Sequence, residues 1–245
     1  MPRVRADVLM VERGLADTRE RARRLIMAGQ ARVGTVTLVK PATLLDTSAP
    51  IELEAPERYV SRGGLKLEAA LEKFAVDVRG LRCLDLGAST GGFSDCLLQH
   101  GAASVLAVDV GRAQLHQRLR DDPRVTLLEA TNARSLPELP AIDFFVADLS
   151  FISLRKILPS VAGRLGPAAR GIVLFKPQFE AGPADVPRGG VIRDLATRER
   201  VRDEFLQWLA AEGWTVVGVM ESPVAGRDGN VEYLVSLATP RGAPC

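Results

Sequence analysis

The hydrophobic positions keep a helical period through the first thirty residues, shorten to a two-residue period, and then alternate between the two. In "VRADVLMVERGLA" the apolar residues are Val8, Leu9 and Val11, and the run stops near Gly14. "DTRERARRLIMAGQ" repeats the rhythm through Ala22, Leu25 and Ile26, with Thr18 as N-cap and Gly29 as stop. "ARVGTVTLVK" and "APIELEA" read as short strands around a turn. From Gly80 onward the strands "LRCLDLGA", "SVLAVDV", "RVTLLEA", "IDFFVADLS", "GIVLFKP", "WTVVGVMES" and "NVEYLVSLA" are interleaved with helical segments. Those are "GGFSDCLLQHG", "AQLHQRLRD", "LRKILPSVAGRL" and "TRERVRDEFLQWLAAEG". In the last, Val201, Phe205, Trp208 and Leu209 recur at helical spacing and predict a core stripe. Repeated β-α-β order predicts an α/β fold whose mainly parallel sheet is covered on both faces, after a small α+β unit.

Composition narrows the function classes. With 245 residues, 47% hydrophobic and 25% charged, the chain has enough material for a folded core and no signature of disorder. No apolar run reaches about 18 residues, and the N-terminus mixes charge into its apolar residues, so a soluble, cytoplasmic protein is expected. Cys83, Cys96 and Cys245 form no C-x-x-C pair, and His100 and His116 lack ligand spacing and read as surface residues. No metal is expected, and acid–base work falls to Lys, Asp, Glu or a cofactor. Charge is uneven along the chain. Residues 1–40 hold nine Arg/Lys against four Asp/Glu, whereas residues 63–245 hold 21 against 22. A basic excess at one end predicts a module that faces nucleic acid.

The glycine loop "DLGASTGGFS" follows the first strand of the alternating region and opens a helix. It matches neither the triphosphate P-loop nor the G-x-G-x-x-G dinucleotide loop. Gly87, Gly91 and Gly92 still let a ligand approach the backbone, with Ser89 and Phe93 in the same loop. Asp85, at the strand end, offers a carboxylate to an ammonium group or an ordered water, or else braces the loop. Asp109 ends the next strand, where doubly wound folds place an acid for ribose hydroxyls. Asn132, after "LLEA", is placed for an adenine edge. Together these residues describe a site for S-adenosylmethionine.

A ribose hydroxyl is a poor nucleophile at neutral pH, so methyl transfer to it gains from a nearby base. Asp148 in "ADLSF", Lys176 in "FKPQFE" and Glu232 in "NVEYLV" fall at or near strand ends, where parallel sheets form ligand crevices. Lys66, in "RYVSRGGLKLEAAL", falls in the first turn of a helix, where a cation opposes the dipole. In that order, Lys66, Asp148, Lys176 and Glu232 resemble the Lys-Asp-Lys-Glu tetrad of the FtsJ/RrmJ-type ribose 2′-O-methyltransferases.

Two longer resemblances bear on the whole chain. The pattern "GL…TRERARRLI..G.ARV" resembles the S-four-type RNA-binding domain, although the usual Asn-Gly turn is here "VGTV" with Gly34 alone. The strings "YVSRGGLKLEAAL", "DLGASTGGFSDCLLQ.GA..V.AVDVG", "D.SFISL", "KPQFE" and "GN.EYL" closely resemble the TlyA family. Its members carry haemolysin names and act as ribosomal RNA cytidine 2′-O-methyltransferases. The resemblance implies a Rossmann-like class I methyltransferase sheet over 63–245, a linker at 58–62 and an RNA-binding domain over 1–57. It implies that Lys176 is the base and that Lys66, Asp148 and Glu232 orient it and the hydroxyl. Asp85, Gly87, Ser89, Gly91, Gly92, Phe93, Asp109, Asn132 and Asp148 would hold S-adenosylmethionine. Arg3, Arg5, Arg19, Arg21, Arg23, Arg24 and Arg62 would face RNA in ribosomal subunits, with the chain acting as a monomer. The family tends to carry an aromatic and a glycine after "VDVG", where this chain has Arg112 and Ala113. Rival readings are a membrane-active haemolysin, an RNA-binding protein without catalysis, and a base methyltransferase. The first lacks a membrane segment, the second leaves the tetrad idle, and the third lacks a cysteine at a suitable strand end.

Overall fold

The computed structural model describes residues 3–53, 57–166, 169–226 and 229–239. Glu54 and Ala55, the end of the "APIELEA" segment, and Cys245 lie outside the described residues. The chain divides into two compact units, Met1–Arg58 and Tyr59–Cys245.

In the first unit, β1 (Arg3–Arg5) runs into α1 (Ala6–Glu12), followed by α2 (Arg19–Met27). Thr18 caps α2 as expected: its Oγ1 accepts from the Arg21 amide at 3.2 Å, satisfying a donor that the helix leaves open. Ala22 and Ile26 face a small core that contains Leu9, Met10 and Ala31. β2 (Ala31–Val33), β3 (Val36–Thr37) and β5 (Ile51–Leu53) form an antiparallel sheet in the order β3-β2-β5, while β4 (Leu44–Asp46) pairs with β1. The β1–β4 pair is absent from the sequence reading because three-residue strands between charges carry no readable period. Asp7 is fully buried in this unit. Arg5 donates to both its oxygens, at 2.9 and 3.0 Å, and Arg19 Nε donates to Oδ2 at 3.0 Å. These bonds, Arg5's first, hold the Asp7 carboxyl at about 2 against its burial.

The second unit is built on seven strands: β6 (Arg82–Leu86), β7 (Ser104–Val108), β8 (Val125–Leu128), β9 (Phe144–Ala147), β10 (Arg170–Phe175), β11 (Thr215–Glu221) and β12 (Tyr233–Ala238). Their order is β11-β12-β10-β9-β6-β7-β8, and only β12 is antiparallel to its neighbours. The period-two alternation splits each central strand between two cores. Phe144, Val146, Ile172 and Leu174 pack with Leu67, Leu71, Phe93 and Leu97, carried by α3 (Gly63–Lys73) and α4 (Gly92–Gln99). Phe145, Val173 and Phe175 pack on the opposite face with Leu158 of α6 (Leu158–Ala162) and Phe205 of α8 (Leu195–Ala211). Phe175 and Phe205 stack with ring centroids 4.8 Å apart, which confirms the stripe read from the sequence.

Two expected helices are cut short. "AQLHQRLRD" is helical only over α5 (Gln117–Arg120). Ala113 has a left-handed φ of 55°, and its amide donates to Glu129 at 2.7 Å, so the helix cannot begin there. The family's usual glycine suits that backbone without strain. "LRKILPSVAGRL" divides into a 3₁₀ turn at Leu154–Lys156 and α6, because Pro159 has no amide to bond an earlier turn and is tolerated only where a helix starts.

Candidate active site

The sheet brings the predicted residues to one end. Gly87 follows β6, Asp109 follows β7, Asp148 follows β9 and Lys176 follows β10. β12 runs the other way, and Tyr233 at its start pairs with Phe175 at the end of β10. Glu232 therefore reaches the same end from the beginning of a strand.

The four charged residues form two ion pairs. Lys66 Nζ lies 2.5 Å from Glu232 Oε2, with both side chains at 10% exposure or less. Lys176 Nζ lies 2.5 Å from Asp148 Oδ1 and donates to Ser150 Oγ at 3.1 Å. The cation that opposes the dipole of α3 is thus neutralised by an acid distant in sequence. Gly226 makes room for that acid: a Cβ there would sit 2.2 Å from Glu232 Oε1.

Lys66, Asp148, Lys176 and Ser150 line a cavity of about 300 Å³ together with Arg62, Gly87, Ser89, Gly92 and Phe93. It shares Gly87, Ser89, Asp148 and Ser150 with a second cavity of about 420 Å³, lined also by Asp109 and Asn132. The volumes are those of ordinary small-ligand sites. Gly87 is required where they meet. Its φ is 81°, and a Cβ would fall 2.5 Å from the Asp148 carbonyl oxygen. The Asp109 carboxylate is fixed by the amides of Ser89 and Gly111, each at 2.7 Å. Asn132 Oδ1 accepts from the Arg134 amide at 3.0 Å. A glycine cradle with a fixed carboxylate and an amide on its rim fits a nucleoside cofactor.

Asp85 and Gly91 stand apart from these cavities. Gly91 is the residue before α4, with φ 97°. Asp85 is fully buried behind the loop, where its Oδ2 accepts from Ser94 Oγ at 2.7 Å and its Oδ1 has no hydrogen-bond partner among the described residues. Burial raises its carboxyl to about 7, with the Ser94 hydrogen bond opposing. A carboxyl whose folded value lies above its unfolded one contributes stability fully below about pH 4 and loses it as pH rises through about 7. Compared with Asp85→Asn, the wild-type melting temperature is expected to decline between about pH 4 and about pH 7 and to level off above. Parallel pH profiles of the two proteins at fixed ionic strength would contradict this placement.

Two residues of the rim, Ser150 and Phe151, were not read from the sequence. Ser150 holds Lys176, and its only signal was its place in "ADLSF". Phe151 is 88% exposed with φ 63°, a strained backbone for a large side chain, and its ring lies 5.2 Å from that of Phe179. Strain and exposure of this kind appear only in three dimensions. Of the histidines, His116 is exposed and His100 half-buried. Among the described residues, no group of three His, Cys, Asp or Glu is arranged to hold a metal, and no helix is long and apolar enough to cross a membrane.

The family model for FtsJ-like methyltransferases matches residues 59–239. The chain belongs to the FtsJ-like methyltransferase family. Within that family, it is 49% identical over 242 residues to the 16S/23S rRNA (cytidine-2′-O)-methyltransferase TlyA of Mycobacterium tuberculosis, covering 97% of this chain and 90% of the relative. A solved structure from Streptococcus thermophilus, with a provisional hemolysin name, superposes with a TM-score of 0.75 at 40% identity, covering 98% of this chain and 90% of that one. The hemolysin name is therefore a second label within the same family. The N-methyltransferase NodS of Bradyrhizobium japonicum, in complex with S-adenosyl-L-homocysteine, shares the fold at 15% identity and a TM-score of 0.51, covering 73% of this chain and 86% of that one. The seven-stranded unit of this FtsJ-like chain has the Rossmann-like methyltransferase fold.

Proposed function

We propose that this chain transfers the methyl group of S-adenosylmethionine to the ribose 2′-hydroxyl of a cytidine in ribosomal RNA, with Lys176 as the proton acceptor. The reading is carried by the Lys176–Asp148–Ser150 cluster, which opens into the same crevice as the glycine cradle. Its context is the family and the cytidine 2′-O-methyltransferase name of the M. tuberculosis relative.

Asp109 would hold the ribose hydroxyls of the cofactor, Asn132 its adenine edge, and Gly87, Ser89 and Gly92 its path along the loop. Bound there, the cofactor supplies a methyl group on a sulfonium, a good leaving group, so the protein's task is to ready the acceptor oxygen. Asp148 and Ser150 aim Lys176 Nζ into the crevice, and in its amine form that nitrogen takes the proton of the 2′-hydroxyl. The Lys66–Glu232 pair lines up beside it, with the lysine facing the crevice and the acid behind. Asp85, buried behind the loop, would act by bracing Ser94 and α4.

The first unit would be the S-four-type RNA-binding domain, acting with the second on ribosomal subunits in the cytoplasm as a single chain. Arg3, Arg21, Arg23 and Arg24 are exposed, while Arg5 and Arg19 are held by Asp7 with part of each guanidinium still open. Replacing Arg21 and Arg24 with alanine is expected to weaken subunit binding and lower its salt slope by about 1.5, one step for each phosphate no longer neutralised. A filter-binding series from low to moderate salt reads both, and an unchanged slope would remove these arginines from the interface.

The main test is transfer of labelled methyl to purified ribosomal subunits, followed by mass mapping of the modified nucleoside. Label on a cytidine ribose is the expected result. Label on a base, or none in ribosomal RNA, would overturn the assignment. A membrane-active haemolysin has no use for this crevice, and release of dye from lipid vesicles is expected to stay at background.

A further inference from the structure

Beside the crevice lies a further cavity of about 540 Å³, lined by Arg134, Phe151, Ile152, Ser153, Lys156, Gln178 and Phe179. It shares Phe151 and Ile152 with the cofactor-side cavity, and the Phe179 ring centroid lies 6.0 Å from Lys176 Nζ. Its two cations come from different elements: Arg134 from the loop after Asn132 and Lys156 from the 3₁₀ turn. Both are exposed, and neither side chain forms an ion pair among the described residues.

The walls are fixed before any ligand arrives. Ser160 Oγ donates to the Arg134 carbonyl at 3.0 Å, tying that loop to α6. Glu180 accepts from Ser153 Oγ and from the Leu154 amide, both at 2.6 Å, tying the turn that carries Lys156 to the short helix α7 (Pro177–Glu180) that carries Phe179. Burial raises the Glu180 carboxyl, and these two donors favour its charged form.

We propose that this cavity is an RNA subsite of the second unit, in which Arg134 and Lys156 hold a backbone phosphate next to the nucleotide being methylated. Free guanidinium and ammonium groups beside ring faces suit a nucleotide, which presents both an anion and a flat base. An acidic peptide would use the cations and leave the rings bare. The inference rests on the ribose-methylation reading, and it adds a contact on the catalytic unit to the basic first unit.

The test compares the wild-type chain with Arg134→Gln, Lys156→Gln and the double variant. Direct binding of ribosomal subunits is measured from low to moderate salt, and S-adenosylmethionine affinity by calorimetry. The double variant is expected to bind subunits about tenfold or more weakly and to lose about 0.7 from the salt slope, the share of one phosphate. Each single variant should lose about half of that slope, and cofactor affinity should stay within about twofold, because phosphate contacts act on the RNA alone. Unchanged subunit affinity and slope in the double variant would overturn the subsite, as would an equal loss of cofactor affinity, which would mark a folding defect. The measurement needs no turnover. If the wild type bound subunits with the expected slope but methylated no ribose, the functional reading would fall while the subsite stood.

Discussion

Lys176→Ala is expected to lower methyl transfer to ribosomal subunits by at least about a hundredfold, the lower end of what a positioned base contributes, while cofactor binding remains within a few-fold. Lys176 is buried between Asp148 and Ser150, which line both cavities, while Asp109 and Asn132 are fixed by backbone amides that do not involve its side chain. Alanine also leaves Asp148 without its cation, so the loss alone would not separate proton acceptance from simple charge pairing. Lys176→Arg makes that separation. An arginine keeps the charge opposite Asp148 but does not give up its proton in any accessible pH range. Both variants are expected to be inactive in single-turnover transfer. Near wild-type turnover by the arginine variant would show that the cation, and not the amine, is what the reaction needs.

Glu232→Ala should have the largest effect on stability. Lys66 and Glu232 are almost wholly withdrawn from water and 2.5 Å apart. Removing one partner of such a pair leaves an uncompensated charge and costs about 3–5 kcal/mol. At about 2–4 °C per kcal/mol for a unit of this size, the melting temperature falls by roughly 10 °C. Replacing both partners with apolar residues, Lys66→Met with Glu232→Leu, removes the stranded charge and should recover most of the loss. Methyl transfer should not recover with it. A double variant that is both stable and active would reduce the pair to a fold device, and a single variant that melts like the wild type would contradict its burial.

Much of this was readable in the sequence because it repeats. The two-residue alternation of "IDFFVADLS" and "GIVLF" gives two covered faces, and in the structure Phe144 and Phe145 do enter opposite cores. Thr18 and Gly29 bound α2 through local chemistry and needed no tertiary information. The residues of the crevice were placed by strand ends, which is a topological rule, and by resemblance to a family. What could not be read depends on contacts made across long separations. Lys66, Asp148 and Glu232 were expected to orient Lys176 as one group; in the structure Lys66 pairs with Glu232 and Lys176 with Asp148, and that division cannot be seen along a line of letters. Asp85 was given two roles, and only its depth behind the loop separates them. The helix expected at "AQLHQRLRD" failed because Glu129, in the segment after the next strand, captures the Ala113 amide. Periodicity describes a segment on its own and contains no information about such a capture.

The reversed direction of β12 has a consequence for how the chain is made. Lys66 is synthesised early in the second unit, yet its acid sits at the front of the last strand of the sheet. Because the two are 166 positions apart, a product truncated before Glu232 carries a lysine with nothing to neutralise it at the mouth of the cofactor crevice. Such a fragment would lack the sheet's hairpin and leave the crevice unfinished, however well its earlier strands had collapsed. A copy that stops before β12 is therefore expected to transfer no methyl group, since the sheet and the Lys66 pair are completed only by that strand.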